Sequence, residues 1–145
     1  MIGSPGAGKS QYCTVFFDKI QVISCDLIRE SMFGPLRSYE IRQIVLEKIK
    51  ATIKEKVQLG EDIVLDTTYF NEMSSRAFLF DFDNAIKVHA IYVNTSLKEC
   101  LIRNKQRAPE RVIPDKMLEM LYERISPPSR EERFESITVI NSTRP

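Results

Sequence analysis

The chain has 145 residues, 43% of them hydrophobic and 28% charged, which indicates one globular domain over residues 1–145. Its formal net charge of +1 argues against avid non-specific binding to nucleic acid. Widely spaced cysteines, the lack of a C-x-x-C motif and a lone histidine argue against disulfides and against a zinc site. Because no apolar run could cross a bilayer and no signal peptide is recognised, we expect a cytoplasmic protein without membrane association.

The first predicted element is a glycine-rich loop, G-S-P-G-A-G-K-S, which fits the pattern G-x-x-x-x-G-K-[ST]. Its glycines allow positive φ angles and let backbone N–H groups approach phosphate oxygens. We expect Lys9 to contact the β- and γ-phosphates of ATP, and the Ser10 hydroxyl to ligate Mg²⁺. A glycine-rich turn that only begins a helix is the alternative. The residues predicted to bind the nucleotide are Gly3, Ser4, Pro5, Gly6, Ala7, Gly8, Lys9 and Ser10.

After this loop, short β-branched runs alternate with helical stretches. Strands are predicted at 21–24, 62–66, 87–93 and 136–140. Helices are predicted at 38–60, around 76–80, at 96–105 and at 114–125. The alternation predicts an α/β fold in which helices cover both faces of a parallel five-stranded sheet. The fifth strand would precede Gly3, where only Met1 and Ile2 stand, so we expect a truncated first strand.

Two aspartates and an arginine follow the predicted strands. Asp26 and Arg29 are three residues apart and would be neighbours on a helical turn. There a carboxylate could orient an acceptor hydroxyl and take its proton, and an arginine could bind an adjacent phosphate. Asp66 ends the third strand and could hold a Mg²⁺-bound water or fix Arg29 in place. For both aspartates, capping of the following helix is the alternative.

A basic segment at about 101–114 gathers Arg103, Lys105, Arg107 and Arg111 ahead of a proline-started helix. We expect this segment to act as a lid that brings one or two arginines over the γ-phosphate. A solvated helix end would have a similar composition, and that interpretation stays open.

In order and spacing, these elements resemble the kinase domain of bacteriophage and animal 5′-polynucleotide kinases and the related small bacterial predicted kinases. The resemblance rests on the glycine-rich loop, the D-x-x-R element, V-L-D-T-T and the R-N-x-x-R segment, and it covers nearly the whole chain. It implies a P-loop NTPase fold with Asp26 as general base, Arg29 on the acceptor phosphate and Arg107 on the ATP phosphates. Cys25 stands where an arginine often precedes the base, and Thr68 where an asparagine usually follows the D-T pair.

The sequence therefore predicts a kinase that uses ATP and Mg²⁺ and transfers the γ-phosphoryl group to a hydroxyl. A nucleic-acid 5′ end is the favoured acceptor. The predicted catalytic residues are Lys9, Asp26 and Arg107, and the predicted substrate-binding residues are Arg29 and Asp66. One alternative is a small-molecule kinase of the antibiotic, sugar or toxin type. Another is a nucleotide-dependent switch or regulatory module that hydrolyses ATP slowly, binds a protein partner and has no need of Asp26.

Overall fold

The computed structural model describes residues 1–82 and 86–142. The chain forms two compact units: unit 1 consists of Met1–Gln11 and Thr68–Pro145, and unit 2 consists of Tyr12–Thr67. Within the described ranges, no helix combines the length and the apolar character that crossing a membrane requires.

The elements up to the end of unit 2 are short except for one long helix. In chain order they are α1 (Lys9–Phe16), β1 (Val22–Ser24), α2 (Cys25–Phe33), α3 (Tyr39–Gln58) and β2 (Val64–Asp66). The two strands pair in parallel, with Val22 opposite Val64 and Ser24 opposite Asp66. The carboxyl ends of β1 and β2 therefore lie side by side within unit 2, which brings the start of α2 close to Asp66.

Helix α3 follows the apolar periodicity of its sequence. It begins where the Ser38 hydroxyl accepts a hydrogen bond from the Ile41 N–H over 3.2 Å, which caps the helix. One stripe at helical spacing is buried and provides much of the core of unit 2. The buried residues of this stripe are Val45, Leu46, Ile49 and Ile53.

Unit 1 contains the remaining helices and strands. They are α4 (Met73–Arg76), β3 (His89–Asn94), α5 (Leu97–Lys105), α6 (Asp115–Glu123) and β4 (Ser136–Asn141). Strands β3 and β4 pair in parallel over their full length, with His89 opposite Ser136 and Asn94 opposite Asn141. The 3₁₀ turns of unit 1 lie at Tyr69–Asn71, Ala77–Phe80 and Pro109–Arg111, and a further 3₁₀ turn at Lys19–Gln21 belongs to unit 2. A buried cluster in unit 1 consists of Ala7, Val93, Cys100 and Leu118.

The α/β class is confirmed, but the prediction of one five-stranded sheet is wrong for the described residues. They form two parallel two-stranded sheets, β1 with β2 and β3 with β4. The predicted first strand is reduced to a single bridge, in which Ile2 exchanges hydrogen bonds of 2.8 and 2.9 Å with Ile91 and Val93. Strands β1 and β2 have three residues each, and the first predicted strand contributes Ile2 alone to its bridge, so these segments form few ladder hydrogen bonds.

A buried ion pair anchors the segment between β2 and β4. Arg76 and Glu132 have side chains that are 1% and 3% exposed, and they form paired hydrogen bonds of 2.6 and 2.8 Å. Arg76 Nη1 also donates to the carbonyl oxygens of Phe70, Asn71 and Ser126 over 2.9–3.2 Å. The guanidinium therefore ties three backbone carbonyls to one buried carboxylate.

Replacing Glu132 with glutamine is expected to lower the free energy of unfolding by about 3 kcal/mol at neutral pH, because it leaves a buried guanidinium without its counter-charge. Burial raises the pKa of the Glu132 carboxyl, but hydrogen bonds from Arg76 and the Ser129 N–H outweigh it and hold that pKa below 4.5. Since the folded-state pKa is the lower one, this stabilisation is present above pH 4.5 and is lost as the pH falls through the folded value.

Urea unfolding of the parent and of Glu132→Gln at neutral and acidic pH measures this effect. The difference between their free energies of unfolding should shrink in acid. Glu131→Gln is the matched control, because it removes an exposed carboxylate from the adjacent position and should change stability by less than about 0.5 kcal/mol. Equal stability losses in the two variants would contradict an ion-pair role for Glu132.

Candidate functional site

The glycine-rich loop of unit 1 runs from the Ile2 bridge into the first turn of α1. Gly3, Gly6 and Gly8 have φ angles of 151°, 80° and 105°. The loop is closed internally by the Ala7 N–H, which donates to the Ser4 carbonyl over 3.0 Å. Such a run of positive-φ residues directs successive N–H groups towards an anion, and a helix N-terminus adds a partial positive charge.

Gly6 is required for packing as well as for its φ angle. A Cβ atom at this position would lie 2.7 Å from the Cys100 carbonyl oxygen of α5, which is closer than nonbonded atoms approach. The Ala7 carbonyl accepts hydrogen bonds from Thr95 Oγ1 over 2.9 Å and from Arg103 Nη1 over 3.2 Å. The underside of the loop is therefore held against α5 and the end of β3.

The Cys100 thiol below the loop is part of the core. Burial raises its pKa above the usual 9.0, although the charge of Lys9 acts in the opposite direction. The thiol is 0% exposed and stays neutral at physiological pH. It supports the loop through packing and not through nucleophilic chemistry.

Lys9 lies inside the loop and is 7% exposed. Its Nζ donates to the carbonyl oxygens of Gly3 over 2.8 Å and Ser4 over 3.0 Å. A buried ammonium beside positive-φ glycines and a helix N-terminus fits a phosphate group in charge and in hydrogen bonding. The loop residues therefore suit the nucleotide that their sequence predicts.

Ser10 is the residue of the loop that could hold a metal ion. It follows Lys9 in the first turn of α1 and is exposed. Among the described residues, no group of three or more His, Cys, Asp or Glu side chains could hold a metal ion. A Mg²⁺ ion at Ser10 would therefore depend on phosphate oxygens and water for most of its ligands, as Mg²⁺ commonly does.

Within the described residues, sequence reasoning missed three side chains that form hydrogen bonds with the loop, Asn71, Thr95 and Arg103. The Asn71 amide forms hydrogen bonds with the Gly3 N–H and with the Gly3 carbonyl, each 2.9 Å long. The resemblance leads one to expect an asparagine at position 68, where Thr68 stands, and Asn71 follows three residues later. Allowing for a shift of three residues would have identified it from the sequence. Arg103 belongs to the basic segment, but nothing in the sequence indicates its contact with the Ala7 carbonyl.

The basic segment is only partly a loop. Its first residues belong to α5, and Arg103 there binds Glu99 over 2.8 Å and Ser142 over 3.1 Å in addition to the Ala7 carbonyl. The fully buried Asn104 side chain exchanges hydrogen bonds of 2.6 and 3.1 Å with the backbone of Ile113, which closes the segment between them. Arg107 follows α5, where its N–H donates to the Asn104 carbonyl over 3.2 Å.

Unit 2 brings Asp26 and Arg29 together at the start of α2. Arg29 is 8% exposed, and its Nη2 lies 3.6 Å from Asp26 Oδ1 and 3.6 Å from Glu30 Oε1. The cap of α2 is Ser24, whose hydroxyl accepts from the Leu27 N–H over 3.4 Å. The alternative in which Asp26 caps this helix is therefore wrong, and its carboxylate, 49% exposed, remains accessible beside a guanidinium.

Asp66 is 9% exposed at the end of β2. The residue that caps the 3₁₀ turn after it is Thr68, so Asp66 does not cap that turn. Arg29 pairs with Asp26 and Glu30, and no ion pair between Arg29 and Asp66 occurs in the part of the chain that the structure describes. A role of Asp66 in fixing Arg29 therefore has no ion pair to support it among the described residues, and its role in holding a Mg²⁺-bound water stays a prediction.

Cys25 is the first residue of α2, and its side chain contacts Thr67, the residue that follows β2. Burial raises the pKa of its thiol above 9.0, although a hydrogen bond with Thr67 acts in the opposite direction. The thiol is therefore neutral and cannot replace the positive charge of an arginine at this position. Its contact with Thr67 helps to hold the first turn of α2, which carries Asp26.

An α/β chain with a positive-φ glycine loop, an inward-facing lysine and a following helix defines a P-loop nucleotide-binding domain. The model of the AAA domain family matches residues 1–128, so the chain belongs to that family, which is of the P-loop NTPase type and includes kinases. Such proteins generally bind a nucleotide together with Mg²⁺. No curated protein matches the chain.

Proposed function

We propose that this P-loop protein is a Mg²⁺-ATP-dependent kinase that transfers the γ-phosphoryl group to a hydroxyl, with the 5′-hydroxyl of a nucleic acid as acceptor. The observation that carries the proposal is the pair in unit 2, where Ser24 caps α2 and the half-exposed Asp26 carboxylate lies 3.6 Å from the buried Arg29 guanidinium. A nucleotide-dependent switch needs the loop of unit 1 but has no use for this pair.

The loop residues would bind the nucleotide phosphates. Backbone N–H groups would come from Gly6, Gly8, Lys9 and Ser10, since Pro5 has none and those of Gly3 and Ala7 already donate within the protein. Lys9 would exchange its contacts with the Gly3 and Ser4 carbonyls for oxygens of the β- and γ-phosphates. A Mg²⁺ ion held by the Ser10 hydroxyl would neutralise charge on those oxygens. Together these groups counter the negative charge that spreads over the γ-phosphoryl group in the transition state.

The acceptor residues are those of α2. Asp26 orients the acceptor hydroxyl and takes its proton as the acceptor oxygen bonds to the γ-phosphorus and ADP leaves. Arg29 binds a phosphate beside that hydroxyl through paired hydrogen bonds. Asp66, nearly buried at the end of β2, suits a role in holding a Mg²⁺-bound water.

A side-by-side screen of labelled γ-phosphate transfer tests this function. The acceptors are 5′-hydroxyl DNA and RNA oligonucleotides, nucleosides and sugars, and we expect label on the oligonucleotide 5′ ends. Label on nucleosides or sugars alone would favour the small-molecule kinase. That kinase is the second candidate because a net charge of +1 provides no general surplus of basic residues for binding nucleic acid. Release of inorganic phosphate without transfer to any acceptor would favour the switch.

Replacing Arg107 with alanine is expected to lower kcat by about 10²-fold with little change in KM, if its guanidinium contacts phosphoryl oxygens mainly in the transition state. Arg107→Lys should rescue the rate only in part, because an ammonium cannot form the planar paired contact. Single-turnover transfer at saturating ATP measures both variants, and Arg111→Ala should be the milder change. Normal activity in Arg107→Ala with severe loss in Arg103→Ala would move the contact to Arg103, which already touches the loop.

A further inference from the structure

We infer that Asn71 is a positioning residue of the phosphate loop: its amide holds the Gly3 peptide group and shares the Gly3 carbonyl with Lys9, so that Lys9 can turn towards a phosphate without leaving that carbonyl unpaired. The inference rests on the proposed function, because it requires a nucleotide at the loop. It concerns contacts within unit 1 alone.

The contact between Asn71 and Gly3 uses both halves of the side-chain amide. Oδ1 accepts from the Gly3 N–H, and Nδ2 donates to the Gly3 carbonyl, each over 2.9 Å. Asn71 is 5% exposed, so these bonds are shielded from water. An aspartate has no donor and a serine has only one polar atom, so neither can make both bonds from this position.

The Gly3 carbonyl has two donors. Asn71 Nδ2 lies 2.9 Å from this oxygen and Lys9 Nζ lies 2.8 Å from it. The Ser4 carbonyl, which also holds Lys9, accepts a second hydrogen bond from the Ala7 N–H over 3.0 Å. Each carbonyl that binds the ammonium therefore keeps one partner when the ammonium leaves, which removes the penalty of an unsatisfied buried acceptor.

The backbone of Asn71 is itself anchored. Its carbonyl accepts from Arg76 Nη1 over 2.9 Å and from the Ser126 N–H over 3.0 Å. Arg76 is in turn held by both carboxylate oxygens of Glu132. On the other side of Gly3, a Cβ atom would lie 2.9 Å from the Val93 carbonyl, so the loop start is confined there as well. The first residue of the loop is thus held in place before any nucleotide binds, as accurate positioning requires.

The dissociation constant for Mg²⁺-ATP, measured by titration calorimetry, tests the role of Asn71. Asn71→Asp should raise this constant at least about tenfold, because the new carboxylate repels the Gly3 carbonyl and captures the Lys9 ammonium. Asn71→Ala should raise it by a smaller factor. A purely structural role predicts that both variants lose thermal stability while the folded protein binds Mg²⁺-ATP with nearly the dissociation constant of the parent.

Asn141→Ala is the matched control, because Asn141 is an exposed residue of unit 1 whose amide accepts from Asn94 Nδ2 over 3.0 Å. It should leave ATP affinity unchanged, and thermal unfolding is followed for all variants. If Asn71→Ala does not fold, Asn71→Ser takes its place.

If the folded aspartate variant and the folded alanine or serine variant both bind Mg²⁺-ATP within about twofold of the parent, the inference is overturned. In that case the parent still binds ATP and the proposed function stands. If the parent itself binds no ATP, the proposed function and the inference fail together.

Discussion

Replacing Lys9 with alanine is expected to lower phosphoryl transfer by about 10³-fold or more, because under the proposed function it removes the positive charge that would face the γ-phosphate in a water-poor loop. The fold should remain intact. The two carbonyls that bind Lys9, those of Gly3 and Ser4, keep hydrogen bonds from Asn71 and Ala7. Labelled γ-phosphate transfer measures the activity, and circular dichroism and thermal unfolding measure the fold.

Lys98→Ala is the matched control for Lys9, because it removes an exposed lysine from α5 in the same unit. It should retain normal transfer. Activity of Lys9→Ala within about threefold of the parent would contradict the assignment of the loop as a phosphate site. A lysine that neutralises the transferred phosphoryl group could not be removed at so small a cost.

Asp26→Asn is expected to lower kcat by about 10²-fold or more with nearly unchanged ATP affinity. Asparagine keeps the size of the side chain and much of its hydrogen bonding, but it cannot accept the proton of the acceptor hydroxyl. ATP affinity should persist because the residues that would bind the phosphates belong to the loop, and Asp26 does not. Single-turnover transfer and calorimetric ATP binding measure the two quantities separately.

Glu30→Gln separates the proposed role of Asp26 as a general base from its role in the ion pair with Arg29. Glu30 Oε1 lies as far from Arg29 Nη2 as Asp26 Oδ1 does, 3.6 Å, so each substitution removes one charge beside the same guanidinium. Glu30→Gln should change kcat by only a few-fold. Equal losses in the two variants would reduce Asp26 to a partner of Arg29. Full ATP hydrolysis by Asp26→Asn, with no transfer to any acceptor by the parent, would instead support the switch.

The sequence determined those features that depend on residues close together along the chain. The three glycines and Lys9 specify a phosphate loop because their φ preferences and spacing act within eight residues. The apolar stripe of α3 is a matter of helical period, and Asp26 and Arg29 are neighbours because a helical turn brings residues three apart together. The same local patterns indicate the alternation of strands and helices and hence the α/β class.

Only the tertiary structure decided how distant residues meet the loop. Asn71 reaches Gly3 across 68 positions, Arg103 reaches Ala7 across 96, and Arg76 reaches Glu132 across 56. Such contacts leave no periodic trace in the sequence, because they depend on which surfaces pack together and on burial that makes a hydrogen-bond partner obligatory. The sheet was mispredicted for the same reason: the composition of each strand is local, whereas pairing between strands depends on length, register and neighbours far away in the chain.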